Sequence, residues 1–133
     1  MIRLGNQKRK GNAYENKIAK RLSETLGVEL RRNPGSGNME NWKGDIVAIH
    51  DKDRISFPWC IELKNQKTLK IPAWIRQVEE EAQEMSKKPV LIFHLHGTSE
   101  EYAVVRLEDW EDRAMEGSME PTYDEIKSGY DEE

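Results

Sequence analysis

The spacing of apolar residues divides this chain into helical and strand-like stretches before any chemistry is considered. Tyr14, Ile18, Leu22 and Leu26 recur every four residues, with Lys17, Lys20, Arg21 and Glu24 largely off that stripe. The spacing predicts an amphipathic helix. Asn12 is suited to cap it, Glu15 three residues on completes a capping box, and Gly27 supplies a stop. The Gly-, Pro- and Asn-rich segment RRNPGSGNMENWKG then reads as a loop.

Beyond the loop, DIVAIH is a β-branched run, DKDR a turn, and ISFPWCIELK an alternating strand with Ile55, Phe57, Trp59, Ile61 and Leu63 on one face. Together they predict a hairpin. Pro72 opens a second helix with Trp74, Val78, Ala82 and Met85 inward and Pro89 closing it. VLIFHLH and YAVVRL read as two further strands around GTSE, followed by a short helix near LEDWEDRAM. The order is helix, two or three strands, helix, two strands, helix. That order implies an α/β fold, a mixed central sheet flanked by helices.

A chain of 133 residues suits one domain, able to bury about two-thirds of its unfolded surface. The single cysteine, Cys60, excludes an intramolecular disulfide, and no apolar run approaches the roughly 18 residues that span a bilayer. The opening MIRLGNQKRKGN lacks the apolar core of a signal peptide. The expectation is a cytoplasmic protein with no membrane partner.

Net charge is −4, but its distribution matters more than its sum. Residues 1–32 hold nine Lys and Arg against three acids, residues 33–98 nine of each, and residues 99–133 three against thirteen. A basic arm at residues 1–10 thus opens the chain and an acidic tail at 117–133 closes it. Such asymmetry points to a polyanion partner for the basic third, or to a merely solvated basic helix.

The segment WCIELKNQ sets Glu62 and Lys64 two residues apart at the end of an apolar strand. Side chains at i and i+2 share a face. A hairpin closed by residues 51–54 pairs His50 with Ile55 and, in the same register, Asp45 with Cys60. Asp45, Cys60, Glu62 and Lys64 then project together, with Asp45 diagonal to Glu62 at about 7 Å. Two carboxylates in one small space repel each other, and a divalent cation resolves the conflict. Carboxylates, carbonyls and water suit Mg²⁺ or Mn²⁺, and such sites bind substrate phosphate. Lys64 can orient the attacking water or stabilise charge on a phosphorane-like transition state. A solvated strand edge with an ion pair of little energetic value is the bland alternative.

At these residues the chain resembles the PD-(D/E)xK nuclease superfamily, through Asp45 in GDI and Glu62 and Lys64 in IELK. NAYENKIAKRL resembles the first helix of its Holliday-junction resolvase branch, with Glu15 matching that branch's glutamate, and PGSG resembles the loop before the aspartate in archaeal and phage resolvases. AWIRQVEEEAQEMSKKPVLIF looks like the helix and strand that follow. The resemblance covers residues 11 to 95. Gly44 stands where the name-giving motif has proline.

The resemblance implies a restriction-endonuclease-like core and hydrolysis of DNA phosphodiesters in a Mg²⁺-dependent reaction, with Mn²⁺ as a substitute. Asp45, Glu62 and the Leu63 carbonyl would ligate metal, with Glu15 completing the shell directly or through water. Lys64 would complete the catalytic set. Ser36 and Gln66 would contact DNA beside the basic candidates Lys8, Arg9, Lys10, Arg31 and Arg32. Ser36 also fits an ordinary flexible loop, and Gln66 a polar strand end.

The implied substrate is a four-way DNA junction cut by a homodimer. Its interface candidates are Ile92, Phe93, Tyr102, Val104, Val105 and Trp110. A chain of this length leaves no room for a further specificity domain, which favours recognition of DNA shape over base sequence. Two alternatives stand beside this reading: a restriction or repair nuclease acting on duplex or flap DNA, and a DNA-binding module of the same fold without chemistry. His94 and His96 lack a third soft ligand nearby and read as a strand face. The four tryptophans read as core or interface, with Trp42 as the one candidate for base stacking.

Overall fold

The computed structural model describes residues 2–34 and 42–119, with side chains from 9 to 34 and 42 to 116. Its first element, α1 (Ile2–Leu26), begins ten residues before Asn12 and runs unbroken through Gly11. Asn12 is therefore a helix-interior residue and caps nothing, so Glu15 has no capping-box role. Residues 2–10, expected as an arm, are the first turns of this helix. Its end is as expected. Gly27 takes a left-handed φ of +69° and its N–H bonds the carbonyl of Ser23 at 3.0 Å.

Part of the expected loop is strand: β1 (Leu30–Arg32) pairs antiparallel with β2 (Ile46–Ala48). The structure replaces the expected hairpin turn with a short helix, α2 (Asp51–Ser56). Arg54 shows why a helix wins. Its Nε and Nη2 donate to the carbonyls of Ala48 and Ile49 at 2.8 and 2.9 Å, so the backbone leaving β2 is satisfied by a side chain that must fold back to reach it. The Lys87 ammonium caps the other end, donating to the carbonyls of Arg54 and Phe57. Ile55, expected in a strand, is consequently 80% exposed.

The alternation survives further on, in β3 (Trp59–Lys64). Phe57, Ile61 and Leu63 enter one core with half-buried Trp59 packed against it, and Cys60 enters another. Next, α3 (Ile71–Met85) buries Trp74, Val78 and Ala82 and ends at Ser86, a left-handed residue with φ 54°. Ser86 rather than Pro89 stops this helix, for Pro89 already lies in β4 (Lys88–His94) opposite Cys60. A parallel pairing of β3 and β4 follows from the α3 crossover. The sheet ends in β5 (Glu101–Val105), antiparallel to β4, and α4 (Leu107–Met119) follows.

The sheet order is β1-β2-β3-β4-β5, a mixed α/β architecture consistent with a restriction-endonuclease-like core. Period-two alternation assigns its residues to two cores. Ile61, Leu63, Val90 and Ile92 pack with Tyr14, Ile18 and Ala19 of α1, whereas Cys60, Leu91 and Phe93 pack with Trp74, Val78 and Ala82 of α3. A strand covered on both faces reads as a continuous apolar run, which is why VLIF carries no alternation. Ile92 and Phe93, expected on a subunit surface, are buried here. Among described helices none is long and apolar enough to cross a membrane.

Candidate active site

The observed β2–β3 register pairs Ile46 with Ile61, two residues away from the expected one. Because the side-chain period is also two, the shift leaves every face assignment intact. Asp45 stands just before β2, outside the paired residues, and its N–H turns back to Ile61, the partner of Ile46, so the chain is bulged here and not in simple register. The register is fixed where it matters. Asp45 N–H donates to the Ile61 carbonyl, and the Leu63 N–H donates to Asp45 Oδ2, both at 2.7 Å.

Gly44 makes this approach possible. Its φ is +88°, and a Cβ there would stand 2.8 Å from the Ile61 carbonyl oxygen and 3.3 Å from Cys60 Sγ. Proline, locked near −65°, cannot adopt that φ, so the departure from the motif's usual proline follows from the local backbone. Asn33 holds the same corner from the other side. Its amide donates to the carbonyls of Trp42 and Gly44 at 3.0 Å each, and its N–H bonds the Asp45 carbonyl at 2.7 Å.

Glu15, Asp45, Glu62, Leu63, Lys64 and Gln66 line one open cleft of about 260 Å³, together with Gly11, Tyr14 and Asn65. All four expected catalytic residues thus line the same cleft, from α1, the residue ahead of β2, and β3. Glu62 is only 4% exposed. The Lys64 ammonium lies 3.7 Å from its Oε1 and 6.0 Å from the Trp74 ring centroid, which answers why two opposite charges end an apolar strand.

Glu15 is oriented by its neighbours on both sides. Tyr14 O–H donates to Glu101 Oε2 at 2.6 Å, and His94 Nδ1 lies 3.0 Å from the other oxygen of that carboxylate, which ties α1 to the edge of the sheet. Arg32 Nη1 sits 3.8 Å from Glu15 Oε2. This expected DNA contact therefore also balances charge in the cleft. Arg9, Lys10 and Arg31 are exposed, and Lys8 lies on α1 with its side chain outside the described set. Ser36 falls outside the described residues.

Burial drives the electrostatics. It pushes Glu62 well above the usual carboxylate range, with the negative charge of Asp45 adding to it, and it raises Asp45 against the opposing pull of the Leu63 N–H and Lys64. Two buried carboxyls so close together favour holding a proton over carrying two negative charges. Glu15 rises to about 7 for the same first reason, burial, with Asp45 next. The thiol of Cys60 is pushed up to about 12 by burial and is a packing group.

α3 contributes two residues that the sequence did not announce. Gln77 Nε2 donates to Glu62 Oε1 at 3.1 Å and to Glu81 Oε1 at 3.3 Å. They sit one turn apart, flanking the buried stripe of Trp74, Val78 and Ala82, and that flank was the available signal. Trp42, by contrast, packs under the Lys87 ammonium with its ring centroid 5.3 Å away and does not line the cleft. His96 pairs with Asn65 at 2.8 Å, outside any metal-like cluster.

Residues 6–131 match the family described as phage putative PDDEXK endonuclease. The chain belongs to this family. No curated protein and no solved structure matches it. The matched range contains Asp45 and the Glu62-Leu63-Lys64 triplet that line the cleft. Nucleases of this type generally use a divalent metal, and the cleft's donor set fits one. Asp45, Glu62 and Glu15 are hard oxygen donors lining one cleft with Leu63, the donor chemistry that a hard divalent cation takes. Among the described residues no three acidic, His or Cys side chains form a complete cage. Sites built from one or two carboxylates, water and substrate phosphate do not need one.

The raised carboxyls have a measurable consequence. A group that binds its proton more tightly when folded stabilises the fold fully below its unfolded value and loses that contribution as pH rises through its folded one. For Glu62 the loss starts near 4.5 and extends past neutrality. In EDTA the melting temperature should therefore fall as pH is raised across that window, and Glu62→Gln should flatten the fall. Parallel profiles for wild type and variant would show that Glu62 carries no such proton.

Proposed function

We propose that this nuclease is a structure-selective endonuclease that resolves four-way DNA junctions by paired phosphodiester cleavage, using Mg²⁺. The observation that carries the reading is the position of Glu15: a glutamate from the first helix shares one cleft with Asp45, Glu62 and Lys64. That is the arrangement implied by the resemblance of NAYENKIAKRL to the resolvase helix. Asp45, Glu62, Glu15 and the Leu63 carbonyl would hold the cation, which would supply Lewis-acid activation of the phosphate and of water. Lys64 lines the cleft wall, where its side chain would stabilise the charge that builds up as the phosphate is attacked. Gln66 lines the same cleft and faces the bound strand. The working place of the protein in this reading is the cytoplasm of a phage-infected host.

The decisive comparison is Mg²⁺-dependent cleavage of labelled four-way, three-way, flap and linear DNAs side by side. Symmetric nicks on the four-way junction are expected. Preference for flap or linear duplex would establish the restriction or repair alternative, and binding without cleavage the inactive module. Asp45→Asn and Glu62→Gln should abolish cleavage while DNA binding survives, and Lys64→Ala should slow it by about 10² to 10³.

Phosphate contact is assigned to Lys8, Arg9, Lys10, Arg31 and Arg32. Arg9 and Lys10 are exposed on α1 just ahead of Gly11, which lines the cleft. Each phosphate neutralised contributes about 0.9 to the log–log salt slope on duplex arms. Removing Lys8, Arg9 and Lys10 together should lower that slope and weaken binding. An unchanged slope and affinity would mean that these side chains are simply solvated.

Paired cleavage needs two sites, and a two-fold dimer supplies them in the symmetry of the junction. Tyr102, Leu107 and Trp110, at 49%, 70% and 58% exposed, form the apolar surface along β5 and the start of α4 proposed for the contact, with half-buried Val104 and Val105 beside it. Sedimentation at micromolar concentration should show a dimer that Trp110→Glu weakens. A monomer that still makes paired nicks would exclude the dimer, and a Trp110→Glu dimer would move the interface elsewhere.

A further inference from the structure

We propose that Gln77 is a positioning residue for the metal site, acting on Glu62 and itself anchored by Glu81. This inference rests on the assignment of Glu62 as a metal ligand. Three observations support it. First, Gln77 Nε2 donates to Glu62 Oε1 at 3.1 Å, the same oxygen that Lys64 approaches at 3.7 Å. One hydrogen bond and one ion pair therefore meet on the same oxygen and restrain the rotation of the carboxylate plane, and in this reading its other oxygen serves the cation.

Second, the amide is held at its far side. The same nitrogen donates to Glu81 Oε1 at 3.3 Å, and residues 77 and 81 are one turn apart on α3. Both amide hydrogens are thereby used, and both acceptors are carboxylates. Those acceptors set the amide's orientation, because a flipped side chain would aim its carbonyl oxygen at two anionic groups.

Third, the chemistry of an amide suits the task. Glu62 is 4% exposed, and a buried carboxylate demands hydrogen-bond donors. A second lysine or arginine would meet that demand but would neutralise the ligand and compete with the cation. A neutral donor orients the carboxylate and leaves its charge for the metal. Outer partners of this kind typically change metal affinity or activity by about 10- to 100-fold when removed. The helix that forms the α3 core is thus also the support that aims the ligand.

The test uses the full-length chain and Mn²⁺ as the probe. Mn²⁺ binding is followed by electron paramagnetic resonance without DNA, and cleavage is measured as a function of Mn²⁺ concentration. Gln77→Ala should weaken Mn²⁺ binding by about 10- to 100-fold and move the cleavage curve to higher metal by the same factor. Its rate at saturating metal and its metal-free DNA affinity should stay close to wild type. Glu81→Ala should follow Gln77→Ala, whereas Glu81→Gln, which still offers an acceptor to the amide, should remain near wild type. Wild-type Mn²⁺ affinity in Gln77→Ala, with loss in Glu62→Gln, overturns the positioning role and leaves the metal site standing. Equal losses in Glu81→Gln and Glu81→Ala would assign the effect to charge and overturn it too. Wild-type protein that binds no Mn²⁺ overturns both this inference and the assignment beneath it. Circular dichroism melting separates all of these outcomes from unfolding, since Gln77 and Glu81 are only half-buried.

Discussion

Everything about this molecule is arranged around the cost of facing two carboxylates across neighbouring strands. Asp45 and Glu62 would repel each other if both were charged, and burial raises the cost further. A sheet of a few short strands has little rigidity to spare for such a pair. The protein nonetheless holds it with backbone bonds at 2.7 Å on either side of Asp45 and a helix on each face of the sheet. The strain is local and the support is global, a division common where a site must be ready for a ligand that is not always present.

The fold was legible wherever burial sets the pattern. Tyr14, Ile18 and the inward residues of α3 announced their helices because a 3.6-residue apolar period arises when one helix face is buried, and Phe57, Ile61 and Leu63 announced their face in the same way at period two. It was not legible where a side chain decides the backbone. Nothing in the alternation of ISFPWCIELK distinguishes a strand beginning at Ile55 from a helix ending at Ser56, since the choice is made by Arg54 reaching the carbonyls of β2. The helical start of α1 was hidden by Asn12, whose capping ability is a local preference that the longer helix overrides.

The site was more legible than the fold that carries it. A register shift of two residues moves Asp45 along the strand but cannot move it to the other face, so the convergence of Asp45, Glu62 and Lys64 holds in either register. Asn33, Gln77 and Glu81 gave no such signal because their roles exist only in three dimensions. Each is a common polar residue in a segment where a solvated side chain would be unremarked, and each acquires meaning from partners 4 to 15 residues away.

The amide of Asn33 has an implication for engineering this nuclease. It bonds the carbonyls of Trp42 and Gly44, so that the residue after β1 grips the backbone leading into Asp45. One side chain thereby holds the approach to Asp45 on two carbonyls at once. For a protein engineer Asn33 is therefore a position to keep: a side chain without its amide would free both carbonyls and loosen the corner that carries the first acid of the site.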